Sequence, residues 1–437
     1  MRILIDCRYV RIDRHDGISR YTAGLVGALA RLHAERSAGG ARINTERSAG
    51  GARINTERSA GGARINTERS AGGARIGTER SAGGESTNTE RSAGGTHNGT
   101  GRGTARVGTE GTGDTIELLV SDRRQLAHLP SDLPWHLIGS PTAIGEPLVA
   151  RHVRRLQPDV VFSPMQTMGS WGRDYGLVLT VHDLIYYRHP APPPQFAAPI
   201  RLLWRLYHLA WWPQRVLLNR ADAVVTVSAA TASQVAERRL TRRPVTVVPN
   251  APDPGPGLPR APRTGALVYM GSFMPYKDVG TLASAMPALP GHELHLMSRI
   301  TPDERARLTA LAPGGRLVFH DGASDETYRD VLRGATALVS ASRDEGFGIP
   351  LVEAMALGTP LVVTDIPVFR EVGGDAAAYV APGDVAGFVR AVRELDEPGV
   401  WEERSAAARA QGRRFSWENS ARVLLALLER VAAARAR

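Results

Sequence analysis

The chain is poor in several residue types that mark other classes of protein. Its 437 residues include one cysteine, Cys7, so an internal disulfide is impossible and a disulfide-stabilised secreted protein is disfavoured. The opening MRILIDCRYV has only three consecutive apolar residues before Asp6, far fewer than a signal-peptide core or a membrane span requires. From these absences we expect a cytoplasmic protein.

Sequence patterns of common cofactors and partners are also missing. The chain has no Gly-x-Gly-x-x-Gly pattern, which argues against a nicotinamide or flavin enzyme, and no Asp-x-Asp cluster. We therefore expect no cofactor and no metal. Aromatic residues make up 6% of the chain and are sparse outside the stretch 201–215, so a stacking surface for nucleic acid is not expected.

The segment 35–113 is low-complexity sequence. The unit ERSAGGARINT recurs with an eleven-residue period and decays into Gly- and Thr-rich sequence. Each unit offers one Ile and two adjacent glycines, so no continuous apolar stripe can form, and we predict a disordered insertion rather than a coiled coil or a solenoid. The tract holds twelve arginines and eight glutamates, which supply four of the ten net positive charges. The remainder is only mildly basic.

Strand and helix patterns alternate through the rest of the chain, which is typical of parallel sheets covered by helices. A Pro- and Gly-rich linker, 251–265, separates two such series. We predict a first domain over 1–250 that contains the insertion, a second over 266–415, and a final helix over 416–437. The predicted strands are RILIDC, TIELLV, VVFSP, LVLTVHD, AVVTVS and VTVVPN, then ALVYMGS, ELHLMS, RLVFHD, ALVSAS and PLVVTD.

The segment EGFGIPLVE, from Glu345 to Glu353, places two carboxylates on either side of a Gly-x-Gly-x-Pro turn. The apolar run 337–342 before it predicts a buried strand, and PLVEAMALG predicts a helix that ends at Gly358. Unpaired N–H groups and the helix dipole attract phosphate to such a helix start, and glycines let the backbone come close. The pattern is suited to holding a sugar nucleotide.

This spacing resembles the signature of the retaining glycosyltransferases of family 4, which have the GT-B fold of two Rossmann-like domains facing across a cleft. The resemblance continues through 358–384 and appears upstream in 267–278. It implies that the second domain binds a nucleotide sugar, with Glu353 holding the ribose, and that the first domain binds the acceptor. It also implies that the final helix crosses back to the first domain. The donor-binding residues expected on this basis are Gly17, Ser272, Gly346, Phe347, Gly348, Ile349, Pro350, Leu351 and Glu353.

Three residues are expected to act on the reacting sugar and diphosphate. Lys277 is the only lysine in the chain, and it stands where the family places a cation on the donor diphosphate. A compact ammonium on a flexible stem can follow a diphosphate whose charge grows as the glycosidic bond breaks. By resemblance, Glu345 orients the hydroxyls of the donor sugar and His182 contacts that sugar from the first domain. For Asp183, next in the chain, the alternative to a role in the site is that it caps the following turn.

The chain departs from the family at one point. Many relatives carry an arginine directly after the glycine that follows the first strand of the second domain, or beside the lysine. Here those positions are Ser272 and Tyr276. The diphosphate is then held by Lys277, the Ser272 hydroxyl and backbone amides, or another arginine substitutes. Arg299, at the end of a predicted strand, is the candidate.

The expected function is a metal-independent, retaining transfer of mannose or glucose from a GDP- or UDP-sugar to a glycan or lipid-linked acceptor, as in cell-envelope glycan biosynthesis. Two other functions stay open. A sugar-nucleotide epimerase shares the GT-B architecture, and a non-catalytic binder would keep Lys277 and Glu353 without transfer. The stretch 200–215 mixes Arg, Trp and Tyr, so it is either a peripheral contact with anionic lipid or half-buried packing.

Overall fold

The computed structural model describes residues 1–12, 16–37, 114–190, 201–202, 205, 210–253 and 261–437. The chain divides into two compact units, one formed by Met1–Leu32 with Asp114–Arg437 and the other by His33–Gly113. The predicted repeat insertion lies outside the described residues beyond Ser37. The sheets, the helices from Val149 onward and the candidate site belong to the first unit.

Two sheets, each built of parallel strands, form the centre of the first unit. The first has the spatial order β3-β2-β1-β4-β5-β6-β7 and the second the order β10-β9-β8-β11-β12-β13. The strands of the first sheet are β1 (Arg2–Asp6), β2 (Thr115–Val120), β3 (Trp135–Leu137), β4 (Val160–Ser163), β5 (Gly176–Val181), β6 (Ala223–Thr226) and β7 (Val245–Val247). Those of the second are β8 (Ala266–Tyr269), β9 (Glu293–Leu296), β10 (Leu317–Phe319), β11 (Ala337–Ser340), β12 (Leu361–Thr364) and β13 (Ala377–Val380).

Helices connect the strands, as parallel pairing requires. The described helices are α1 (17–37), α2 (Val149–Val153), α3 (Ile185–Arg188), α4 (Trp212–Arg220), α5 (Ala229–Glu237), α6 (Val279–Ala285), α7 (Pro302–Leu311), α8 (Asp325–Gly334), α9 (Ile349–Leu357), α10 (Pro367–Gly373), α11 (Val385–Glu394), α12 (Val400–Gly412) and α13 (Trp417–Ala436). Within the described ranges, each helix is too short or too polar to span a lipid bilayer.

Both faces of each sheet are covered. In β1, Ile3 and Ile5 enter one hydrophobic core while Leu4 enters another on the opposite face. In β8, Val268 and Leu267 alternate in the same way. Strands buried on both faces are typical of parallel sheets between helix layers, and they explain the continuous apolar runs in the sequence.

The expected α/β fold of two Rossmann-like sheets is confirmed. The predicted helix after the Gly-x-Gly-x-Pro turn is α9, and Gly358 ends it with a left-handed φ of 74°. Two strands were not predicted, β3 and β13. Both are edge strands of three or four residues. β3 has no buried side chain, and the apolar run that contains β13 is mostly alanine, which is uncommon in strands.

The final helix, α13, packs against the first sheet after leaving the second. Ser416 caps its start by accepting a hydrogen bond from the Asn419 amide. Trp417 lies against Gly24 of α1, and Val431 packs at Gly176 of β5. The chain therefore closes over both sheets, and the two are held in one unit.

Two glycines of α1 provide a matched test of this packing. A Cβ at Gly24 would collide with the Trp417 ring, whereas a Cβ at Gly27 would meet only the end of the Arg31 side chain at 3.7 Å. We expect Gly24→Ala to destabilise the protein by about 1–3 kcal/mol because the helices must move apart. Gly27→Ala should stabilise it by up to about 1 kcal/mol, since alanine favours the helix.

Urea unfolding of both variants beside the unmodified protein measures the two effects. Equal stabilities for Gly24→Ala and Gly27→Ala would show that α13 does not seat on α1 as described.

Candidate active site

The glycine turn between β11 and α9 packs on the carboxyl end of β5. A Cβ at Gly346 would collide with the carbonyl oxygen of His182, so only glycine fits there. The Ser228 hydroxyl donates a hydrogen bond to the Gly346 carbonyl over 2.7 Å. Gly348 has φ of 93°, in the left-handed region that favours glycine, and it precedes the first turn of α9. The start of α9, with its free backbone N–H groups, therefore lies beside the first sheet.

Lys277 and Glu345 form an ion pair beside this turn. Lys277 ends a short 3₁₀ turn, Pro275–Lys277, that follows β8, and its Nζ lies 2.5 Å from Glu345 Oε1. Their side chains are 14% and 15% exposed. A sheltered pair interacts more strongly than a surface pair because less water screens it. The structure thus brings together the two residues expected to meet the diphosphate and the sugar.

His182 and Asp183 follow β5 on the opposite side of the turn. The His182 ring donates a hydrogen bond from Nε2 to the Pro164 carbonyl over 2.7 Å and meets the Tyr21 ring edge-on. Burial disfavours the imidazolium and lowers the pKa of His182. With Nε2 donating, a neutral His182 keeps Nδ1 as an acceptor. The Asp183 carboxylate accepts from the Ile185 amide over 3.0 Å, so Asp183 caps the first turn of α3.

Asp344, which precedes Glu345, is a further buried acid of the site. It forms an ion pair with Arg188, and its other oxygen lies 3.4 Å from Nε2 of His189, whose pKa is lowered by burial; both residues come from the first-sheet side. The His189 ring stacks on Tyr276 with centroids 5.3 Å apart. Burial raises the pKa of Asp344 to about 6, against the opposing effect of Arg188. The turn therefore carries two adjacent acids, each with a cationic partner.

Glu353 lies inside α9 and pairs with Arg20 of α1. The same guanidinium binds Asp325 of α8 at 2.5 Å. Burial raises the pKa of Glu353, and Arg20 opposes that effect. The acid expected to face the ribose thus has a partner from the other side of the cleft.

The other predicted donor residues occupy different surroundings. Gly17 begins α1, and a Cβ there would lie 3.5 Å from Ile349 Cδ1, so this glycine faces the start of α9. Phe347 and Leu351 are buried in the core, and Pro350 occupies the first turn of α9. Ser272 is exposed, and its carbonyl accepts a hydrogen bond from the Tyr269 hydroxyl over 2.6 Å. Arg299 is exposed after β9, with its side chain against Gly322, and its role stays a prediction.

Sequence reasoning did not identify four residues of the site: Arg20, Arg188, Ser228 and Asp344. Arg20 lies one turn after Gly17, but a helix start offers no sign of a partner more than 300 positions away. Asp344 could have been suspected, because it stands next to Glu345 after a buried strand. Arg188 and Ser228 contact the glycine-turn segment from the first-sheet side, and no local sequence pattern indicates those contacts.

Two family models match the chain, one over each sheet. The model described as Glycosyltransferase Family 4 matches residues 107–255, and the model described as Glycosyl transferases group 1 matches residues 264–397. Together the two models span well over half of the chain, including every described residue of the glycine turn and Lys277.

Curated relatives and solved structures agree with these matches. A glycogen synthase of Mycobacterium tuberculosis is 32% identical over 222 residues, 47% of this chain and 53% of the relative. An O-antigen chain mannosyltransferase of Salmonella typhimurium is 25% identical over 226 residues, 50% of this chain and 60% of the relative. The chain spans about half the length of the curated relatives it matches.

Among solved structures, Anabaena HepE in complex with UDP and glucose is similar in fold. Its TM-score is 0.55 at 18% identity, with 72% of this chain and 91% of that chain covered.

The raised pKa of Asp344 predicts a pH-dependent stability. An aspartate in the unfolded chain ionises near pH 4, whereas native Asp344 keeps its proton until about pH 6. Stability contributed by this group therefore falls as pH rises through that window and is constant above it. Asp344→Asn cannot ionise, so its unfolding free energy relative to the unmodified protein should rise by about 1–2 kcal/mol from about pH 4 to about pH 7.

Asp365→Asn is the matched control, because Arg370 lowers the pKa of Asp365 by hydrogen bonding. Its stability difference should be nearly flat from about pH 4 to about pH 7 and should change in the opposite direction only below about pH 4, because the lowered pKa of Asp365 lies under that of the unfolded chain. Denaturant unfolding at several pH values measures both series. A difference for Asp344→Asn that is flat with pH would contradict the assignment.

Proposed function

Because this chain belongs to the family 4 glycosyltransferases, we propose that it transfers a hexose from a nucleotide sugar to a glycan or lipid-linked acceptor. The observation that carries the proposal is the sheltered Lys277–Glu345 pair at a helix start, with His182 just across the glycine turn. A cation and an acid thus lie beside the turn on which the backbone of His182 packs. These are the groups that a donor diphosphate and its sugar require.

The donor in this proposal is GDP-mannose or a UDP-glucose-type sugar. Support comes from the names of similar proteins, which include a mannosyltransferase, a glycogen synthase and a protein solved with UDP and glucose. In this proposal the contacts that distinguish the base and the sugar lie within the cleft. Binding experiments with both donors decide between them.

The proposed reaction is retaining and metal-independent. The bond between the anomeric carbon and the diphosphate oxygen breaks, and the acceptor hydroxyl oxygen bonds to that carbon on the same face. The proton of that hydroxyl passes to the departing diphosphate. Lys277 and the N–H groups at the start of α9 stabilise the negative charge that develops on the diphosphate. Glu345 orients the sugar hydroxyls and offsets positive charge on the ring.

His182 and Glu353 hold the two ends of the donor in this scheme. A neutral His182 accepts a hydrogen bond from the sugar at Nδ1, because Nε2 is engaged with Pro164. Glu353 accepts hydrogen bonds from the ribose hydroxyls.

We also propose a cytoplasmic location with peripheral contact to anionic lipid near 200–215. Much of that stretch lies outside the described residues, but Leu202 and Trp212 are 60% and 65% exposed in the described part. Arg215 is exposed on the same helix as Trp212. Apolar tips beside arginine are suited to a lipid surface with negative headgroups.

The need for an acceptor distinguishes the proposed transferase from an epimerase and from a non-catalytic binder. An epimerase converts the nucleotide sugar without any acceptor, and a binder yields neither transfer nor donor hydrolysis. Only a transferase joins labelled hexose to an added glycan or lipid-linked sugar.

Lys277 provides the test of the proposed chemistry. Replacement by alanine should reduce transfer about a hundredfold or more, because one preorganised charge facing the leaving group is worth about 2–4 kcal/mol in the transition state. Lys277→Arg should restore only part of the rate, since the planar guanidinium directs its hydrogen bonds differently. The rate of hexose transfer from a radiolabelled donor measures both variants.

Arg343→Ala is the matched control, since Arg343 is an exposed cation of the neighbouring loop after β11 and pairs with Asp278, next to Lys277. It should keep transfer near the unmodified rate. An amine-directed reagent adds a second measurement, because Lys277 and the N-terminal amine are the targets in this chain. Nucleoside diphosphate should protect Lys277 from the reagent. Near-normal transfer by Lys277→Ala would place the phosphate site elsewhere.

A further inference from the structure

Arg20 connects the two sides of the cleft through a pair of acids. It stands on the first turn of α1, three residues after Gly17, and its guanidinium reaches Glu353 of α9 and Asp325 of α8. Arg20 and Glu353 are 16% and 11% exposed at their side chains, whereas Asp325 is 56% exposed. The sheltered arm of this fork is therefore the one to Glu353, and the arm to Asp325 is a surface contact of small energetic weight.

Glu353 has one cation among the charged groups that act on it in the described structure. Asp325 and the Tyr328 phenol approach from α8, and Asp253 approaches from the segment after β7. Both aspartates raise the pKa of Glu353, as burial does, and Arg20 is the largest opposing influence. Without Arg20, burial and the two aspartates would favour the protonated carboxyl, opposed by the hydrogen bond from the Tyr328 phenol.

We propose that Arg20 is a positioning residue for nucleotide binding, which holds the Glu353 carboxylate towards the ribose from across the cleft. The inference rests on the proposed function, in which Glu353 receives the ribose hydroxyls. A carboxylate has enough lone pairs to accept from a guanidinium and from hydroxyls at once, so Arg20 remains bound while the nucleotide enters. Because Arg20 belongs to the first-sheet side, Glu353 is ready for the ribose only when the two sides face each other.

This role differs from that of Lys277. Arg20 acts on the nucleoside end of the donor through Glu353, and it touches neither the reacting sugar nor the bond that breaks. Its loss should therefore weaken nucleotide binding and raise KM for the donor while kcat changes little. Its effect should also depend on pH, because the protonated Glu353 cannot accept two hydrogen bonds from the ribose.

The test compares Arg20→Gln, Arg20→Lys and Asp325→Asn with the unmodified protein. Calorimetric titration with GDP and UDP between about pH 6 and about pH 9 gives the dissociation constant of whichever nucleotide the unmodified protein binds. We expect Arg20→Gln to bind about tenfold or more weakly at the lower pH, the scale for losing a charge-assisted hydrogen bond, and to recover most of the affinity at the higher pH as Glu353 ionises. Arg20→Lys keeps the charge and should lose less. Asp325→Asn should bind within about twofold, since its arm is exposed.

Glu371→Gln controls for general loosening of the cleft. Glu371 of α10 accepts hydrogen bonds from the Ala229 and Ala230 amides of α5, so it also joins the two sides. It belongs to a different helix from Glu353. It should leave nucleotide affinity nearly unchanged at every pH. Equal affinity of Arg20→Gln and the unmodified protein would overturn the inference. So would a loss that is the same at each pH and shared with Glu371→Gln.

Failure of the proposed function gives a different result. In that case the unmodified protein binds neither GDP nor UDP, and the inference falls with it. If Arg20→Gln does not fold, the smaller loss and its pH profile in Arg20→Lys decide the question, and a flat profile equal to that of the unmodified protein overturns it.

Discussion

The close approach of Gly346 to the carbonyl oxygen of His182 is the contact on which the candidate site depends. Any side chain at position 346 would push the glycine turn away from the end of β5. The hydrogen bond from Ser228 to the Gly346 carbonyl holds the same point from a second strand end. Lys277, Glu345 and His182 follow three separate strands, and this backbone contact sets the turn that carries Glu345 against the residue His182.

Sheltered acids of the second-sheet side pair with cations. Glu353 and Asp344 pair with Arg20 and Arg188 from the first-sheet side, whereas Glu345 pairs with Lys277 from its own side. In the proposed function a nucleotide sugar brings its diphosphate and hydroxyls to these groups, so binding exchanges the Lys277–Glu345 contact for new ones while Arg20 stays on Glu353. The net affinity is the difference between two large terms, and removing one member of a sheltered pair leaves the other uncompensated. This explains why single substitutions here should have large effects.

Local sequence patterns were sufficient for the fold and for half of the site. Buried parallel strands produce apolar runs that can be recognised without neighbours, and the Gly-x-Gly-x-Pro turn marks the start of α9. The edge strand β3 lacks such a run, and the run that contains β13 is mostly alanine. Arg20 could not be found in this way, because its partner Glu353 is remote in sequence and meets it only in the folded cleft. Arg299 was chosen from strand position alone, and the structure gives that side chain a place beside Gly322.

Thermal unfolding in the presence of ligands tests whether the cleft holds a nucleoside diphosphate sugar. The unmodified protein is heated with GDP, UDP, ADP and the corresponding nucleotide sugars, each at a high concentration. We expect the ligands that carry one of the three bases to raise the melting temperature, since a ligand at a hundred times its Kd stabilises by about 2.7 kcal/mol. Lys277→Ala should lose most of that shift. An unchanged melting temperature with every nucleotide and every nucleotide sugar would contradict this expectation.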